Sequence, residues 1–345
     1  MFYIQEIHCI SPQQTFPFIN LYELHEPVNN KLNVIEPAYE GIPKNALRRM
    51  SKTVRISVGA TLPILKNNTV SGIIIGTANG GMEDSIVFLK QVIEFDEGIL
   101  TPGNFVQSTS NATASQLSLI STNRSYNITH VHRGLAFENA IIDAAMQLME
   151  NGLNTYLLGG VDEIASYNYN IDYLDNWYKT KETNSSNFYN PGSPGSIAGE
   201  GAVMLLVNNN AATAIAKLKA IQTMHNIHVK DVSDGLKNFI EENLQPGEQI
   251  DILLSGENGD NRLIPFYEAC ESLLDNVVMV ARFKHICGEY PVASSFALWL
   301  ACELLNNLPL PGHMIKKNTA KTNFKNILIY NCYKGLQHSF ILVGK

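Results

Sequence analysis

Few side chains in this sequence could do chemistry, and they are scattered. Five cysteines stand at positions 9, 270, 287, 302 and 332, odd in number and without a CxxC pair. That usage excludes a disulfide framework and a zinc ribbon. Cys287 is the best-placed nucleophile, because it lies between Lys284 and Glu289. A thiol needs a nearby cation or a helix N-terminus to ionise at neutral pH. No helix start follows Cys287, and without one a free cysteine is an inert small hydrophobe. His130 and His132 precede Arg133; they fit acid–base work or plain structural hydrogen bonding. Arg48, Lys52 and Arg55 fall at i, i+4 and i+7, with Arg49 adjacent. On a helix that spacing makes a basic face, either solvated or offered to an acidic partner. No metal site and no cofactor is expected.

The elements that must position these residues read as an α/β fold. Short apolar runs alternate with amphipathic segments almost throughout. Gly72–Gly76 is a buried strand opening into the glycine turn Thr77–Gly81, and Thr155–Gly160 is a second strand ending in a glycine pair. Ala202–Val207, Ile250–Leu254, Val277–Val280, Ile327–Tyr330 and Phe340–Val343 are further strands. Leu135–Glu150 carries one helical apolar stripe, with Gly152 where a C-terminal cap belongs. Ser294–Leu305 is apolar nearly all round and reads as an interior helix. Ile73–Gly81 and Ile252–Gly259 are both a strand running into a turn, which suggests an internal duplication. The halves divide at 1–207 and 208–345, and Lys179–Ser196, rich in Asn, Ser and Pro, reads as an irregular surface insertion.

Composition narrows the class. The chain has 345 residues, with 25 Lys+Arg against 32 Asp+Glu and a formal net charge of −7. An acidic balance argues against nucleic-acid or anionic-membrane binding, since both want a basic surface. The longest apolar run, Phe296–Cys302, is too short to span a bilayer. Met1–Ile10 contains Glu6 and no basic leader, so no secretory signal is expected. The Asn-x-Ser/Thr triplets at Asn111, Asn123 and Asn127 then read as chance matches. The expectation is a soluble cytoplasmic protein.

In order, the segments resemble the β-ketoacyl synthases of the thiolase fold. The resemblance runs from the strand around Ile7–Pro12 to Val343. It includes Gly72–Gly81, Thr109-Ser-Asn111 before a helix, Gly159-Gly160-x-Asp-Glu163, Ile197-Ala-Gly-Glu-Gly-Ala202 and Lys284. It implies a duplicated α/β fold: two halves whose central mixed sheets enclose buried helices. A condensing enzyme of this kind needs a cysteine at the N-terminus of a buried helix, where backbone N–H groups stabilise thiolate and oxyanion. Here the matching turn is His132-Arg133-Gly134-Leu135-Ala136, after a strand Asn127–Val131, and the cysteine's position is Gly134. Two histidines assist decarboxylation in the family; their matches are Gly256 and Glu289. Lys284 keeps its place, but its usual carboxylate partner falls on Leu298.

By this resemblance all three catalytic positions are lost together, which removes decarboxylation as well as condensation. The chain is similar to chain-length factors, the non-catalytic relatives that pair with an active ketosynthase and shape its acyl tunnel. Gly288-Glu-Tyr-Pro291 points to the partners in aryl-polyene and flexirubin-type pigment enzymes. Implied partners are an active ketosynthase subunit, or a second copy, and an acyl carrier protein. Phe105, His132, Arg133, Phe137 and Tyr333 are candidates for the tunnel or interface. Phe105–His132, with Val106, Leu117, Leu119, Ile120, Ile128 and Val131, is expected at a large subunit contact. The alternatives are an active 3-oxoacyl-(acyl-carrier-protein) synthase or acyltransferase with an unrecognised nucleophile, and a homodimeric binder of acyl-carrier or fatty-acyl ligands.

Overall fold

The computed structural model describes residues 1–98, 100–190, 192–274 and 277–345. Thirteen strands form among them: β1 (Phe2–Ile10), β2 (Lys31–Leu32), β3 (Gly72–Gly76), β4 (Tyr126–His130), β5 (Tyr156–Asp162), β6 (Ala198–Gly199), β7 (Gly201–Asn208), β8 (Ala216–His225), β9 (Ile252–Ser255), β10 (Met279–Arg282), β11 (Ile315–Lys317), β12 (Asn326–Tyr333) and β13 (Gln337–Gly344). Eleven join in one sheet, ordered β11-β10-β9-β12-β13-β8-β1-β7-β5-β3-β4.

That order contains one arrangement twice. Within β1, β3, β4, β5 and β7 the spatial order is third-second-fourth-fifth-first; β8, β9, β10, β12 and β13 repeat it. In each set the fifth strand runs antiparallel to the fourth and the first, while the second, third and fourth are parallel. The two sets meet through a short antiparallel ladder pairing Phe2–Ile4 with Ala216–Leu218. β3 and β5 are buried on both faces, as parallel strands must be, so they read as continuous apolar runs.

Two helices fill the space between the sets. Ser294–Leu305 is buried along nearly its whole length and packs on β1, β5 and β7 as well as β12 and β13. Its all-round apolarity follows from having no solvent side. Ala136–Glu150 packs on β3, β4 and β5 through Ala140, Ile141, Ala144 and Leu148. It starts one residue later than expected, after a 3₁₀ turn at Arg133–Leu135. Gly152 is not among the residues with positive φ; the helix ends at Asn151 without the left-handed glycine cap that the sequence suggests.

Two expectations fail here. Arg48 ends the short helix Lys44–Leu47, while Lys52 and Arg55 lie on the separate helix Lys52–Asn67. Lys52 pairs with buried Glu200 and Arg55 with Glu36, so there is no shared basic face. Leu117, expected at a subunit contact, is fully buried in the core.

Candidate functional site

β4 ends at His130, one residue before the expected limit, and the chain reaches Gly134 through Val131, His132 and Arg133, all exposed. Arg133 has φ +45°, a sharp turn carried by a residue other than glycine. Gly134 is buried, and its N–H donates to Gln337 Oε1 at 2.9 Å. A Cβ at position 134 would lie 2.7 Å from Tyr333 Cδ1 and closer still to Tyr333 Cβ and Cγ. The space that a side chain would need there is already filled. Tyr333 and Glu289 line a cavity with Asn258, Tyr178 and Tyr290 that measures 10 Å³. Ligand pockets hold about 300–1,000 Å³.

Glu289 is 8% exposed and both its oxygens are used. Oε1 takes Lys284 Nζ at 2.8 Å and Oε2 takes Asn258 Nδ2 at 2.7 Å. Lys284 is fully buried, so this pair supplies the carboxylate that the sequence left missing at Leu298. The turn is set by Gly288, at φ +74°, where a side chain would also strike the Ala198–Gly199 backbone. The backbone of Glu289 then bonds to Ile197 and Gly199. Gly256 is likewise packed out: a Cβ there would sit 2.7 Å from Asn331 Oδ1 and 2.9 Å from the Tyr330 carbonyl. Gly134, Glu289 and the Gly256–Asn258 turn therefore converge on one region, filled by Tyr333 and Asn331.

The cysteines offer no substitute nucleophile, since all five are buried. Burial pushes the Cys287 thiol well up, against a smaller opposing effect from Lys284, and it sits at the end of a four-residue helix. Burial also raises Cys332, and Cys270 is pushed up to about 12. Phe137 is core: its ring lies against Gly160, and its backbone against Gly76. His130 pairs with Asp143 at 2.9 Å, while His132 is exposed. Glu200 accepts from the backbone N–H groups of Val34 and Ile164 as well as from Lys52, a structural role. Among the described residues no group of three or more ligand-type side chains could hold a metal, and no helix is long and apolar enough to cross a membrane.

An apolar surface lies beside this region, and the sequence reading named only the part of it within Phe105–His132. The helix Met82–Glu94 has no buried residue, and Val87, Leu89 and Ile93 are exposed on it. It packs on the helix Pro102–Gln107, where the Phe88 and Phe105 rings are 5.4 Å apart. Phe105, Val106, Leu119, Val131, Met146 and Met149 are exposed too, and among the described residues no strand pairs with the outer edge of β4. The sequence signal was available: seven apolar residues in thirteen, Met82–Glu94, without a charged stripe wide enough for a surface helix.

Residues 25–180 match the family model described as "Beta-ketoacyl synthase, N-terminal domain". No curated protein matches the chain. Among solved structures, a beta-ketoacyl synthase from Burkholderia phymatum STM815 is similar at TM-score 0.76 and 14% identity, over 100% of this chain and 99% of that one. The ishigamide ketosynthase/chain length factor gives TM-score 0.77 at 12% identity, covering 100% and 98%. The ketosynthase ApeO in complex with its chain length factor ApeC, from Xenorhabdus doucetiae, gives 0.75 at 12%, covering 99% and 97%. The fold is thus thiolase-like, shared end to end with ketosynthases.

Proposed function

We propose that this chain is a non-catalytic ketosynthase homologue acting as chain-length factor in a cytoplasmic heterodimer, with halves divided at 207/208. It would complete and shape the acyl tunnel of a cysteine-bearing ketosynthase served by an acyl carrier protein. The observation that carries this reading is Tyr333 filling the space beside Gly134, next to an unpartnered apolar face. A packed-out position without a nucleophile favours work at the surface over covalent chemistry. Obligate interfaces bury about 2,000–5,000 Å² in total. Two of the similar structures are of a ketosynthase with its chain length factor, which supports the same role here. An aryl-polyene or flexirubin-type pathway is the finer reading, supported by Gly288-Glu-Tyr-Pro291.

The test is co-expression with a cysteine-bearing ketosynthase of the same pathway, followed by size-exclusion chromatography and product analysis. A stable complex is expected, and Val106→Trp should shorten the product without dissolving it. A monomer indifferent to the ketosynthase, or mass-spectrometric detection of a stable acyl adduct on this chain, would overturn the reading.

A further inference from the structure

We infer that the β4 edge rejects a second copy of this chain and selects a partner of the same fold whose facing edge carries carboxylates. The inference rests on the heterodimer proposed above and deepens it by naming the partner's chemistry. Between Glu97 and Glu138 the chain has no acidic side chain at all, although it averages one in about ten residues elsewhere. The charged and titratable groups of that stretch are Arg124, Tyr126, His130, His132 and Arg133. Arg124, His132 and Arg133 are exposed at the two ends of β4, and neither guanidinium has a hydrogen-bond or ion-pair partner among the described residues. The carboxylate facing the strand from the helix Ala136–Glu150, Asp143, is already taken by His130 and Tyr126.

An open edge strand is a template for pairing with another chain. Two copies pairing antiparallel about the midpoint of β4, Ile128, would bring Arg124 of one toward Arg133 of the other just past the ends of the paired strands. The two-fold axis repeats that contact, so every like-charge clash is counted twice. Directly opposed like charges destabilise a strand pair. A partner with carboxylates at those places turns both contacts into attractions, and juxtaposed like charge suppresses the wrong partner. The apolar residues around the edge would then supply adhesion while the arginines supply discrimination.

The experiment needs only this chain. Sedimentation velocity is run on the wild type, on the exposed-site variant Arg124→Glu/Arg133→Glu, and on their equimolar mixture, at 0.05 and 0.5 M NaCl. The mixture should associate about tenfold more tightly than the wild type alone at low salt, with the gap closing at high salt. A mixture no tighter than the wild type, or a wild-type homodimer as tight as the mixture at both salts, overturns the inference. Arg124→Gln/Arg133→Gln, which removes charge without reversing it, should self-associate more tightly than wild type and lose the salt dependence. Circular dichroism melts of each variant confirm folding. Ketosynthase capture without a mixture effect would sink this inference and leave the proposed function standing; a mixture effect without capture would do the reverse.

Discussion

Restoring a side chain at position 134 should damage the protein rather than revive it. In Gly134→Ala the new Cβ meets Tyr333 Cδ1 at 2.7 Å and crowds Cβ and Cγ more severely. Carbon contacts settle near 3.5–4.0 Å, so the overlap is roughly 1 Å. The struck atoms are close to the Tyr333 backbone, inside β12, and cannot swing aside as a flexible tip would. Overpacking of this sort costs about 1–3 kcal/mol. With about 2.1 cal/mol/K of unfolding entropy per residue, 345 residues convert that to a melting shift of roughly 1.5–4 °C downward. Thermal melts of Gly134→Ala, Tyr333→Gly and the double variant measure it, and the double should be less damaged than the two effects summed. Gly134→Cys should melt early as well and form no acyl adduct with loaded carrier protein. A Gly134→Ala protein melting within 0.5 °C of wild type, or strict additivity in the double, would refute the packing argument.

Two other perturbations follow from buried charge. Glu289→Gln leaves the fully buried Lys284 ammonium without its carboxylate, at a cost of about 3–5 kcal/mol; urea melts should show it, and adding Lys284→Met should recover much of the loss. Glu163 has an orphaned Oε1, and burial, opposed by Lys52 and reinforced by Asp84, Glu200 and Glu83, raises its carboxyl from 4.5 to about 7. The folded state then holds this proton more tightly than the unfolded chain, so the group's contribution to stability falls as pH rises from about 4.5 to 7. Glu163→Gln should therefore stabilise the protein at pH 8, by an amount on the order of 1–3 kcal/mol, and leave it little changed at pH 4; a larger gain at pH 4 than at pH 8 would reverse the sign and reject the account.

Much of the fold is legible because its parallel strands and central helix are apolar without interruption. Ile73-Ile-Ile75 and Ser294–Leu305 have only one physical reading, burial on all sides. β8 escaped notice because Lys217 and Lys219 break its apolar character, although Ala216, Leu218 and Ala220 alternate inward as a half-buried strand should. Within the site, local contacts carried a signal that the sequence reading did not resolve. Lys284 and Glu289 are five residues apart, and their pairing follows from the turn at Gly288. What fills Gly134 was partly visible: Tyr333 stood out as an aromatic near the turn, but Gln337 did not. Its bond to Gly134 spans 203 residues and depends on β13 returning beside the helix start. Orphaned atoms such as Glu163 Oε1 have no sequence signature at all.

The three positions that the resemblance assigns to catalysis hold residues that fit together, as the proposed function requires. A site that had lost a cysteine and two imidazoles and nothing else would hold voids, at about 24 cal/mol per Å³ of residual cavity. Here the ring of Tyr333 occupies the space beside Gly134, and Asn331 crowds Gly256. Glu289 neutralises a lysine that would otherwise be buried without a counter-ion. Gln337 caps the Gly134 N–H, a donor at the helix start that would otherwise be free to hold an oxyanion. Each of these residues satisfies a packing or hydrogen-bonding requirement of the fold. The interior is thereby built for rigidity, and under the proposed function rigidity is what a tunnel-shaping subunit needs behind its contact face.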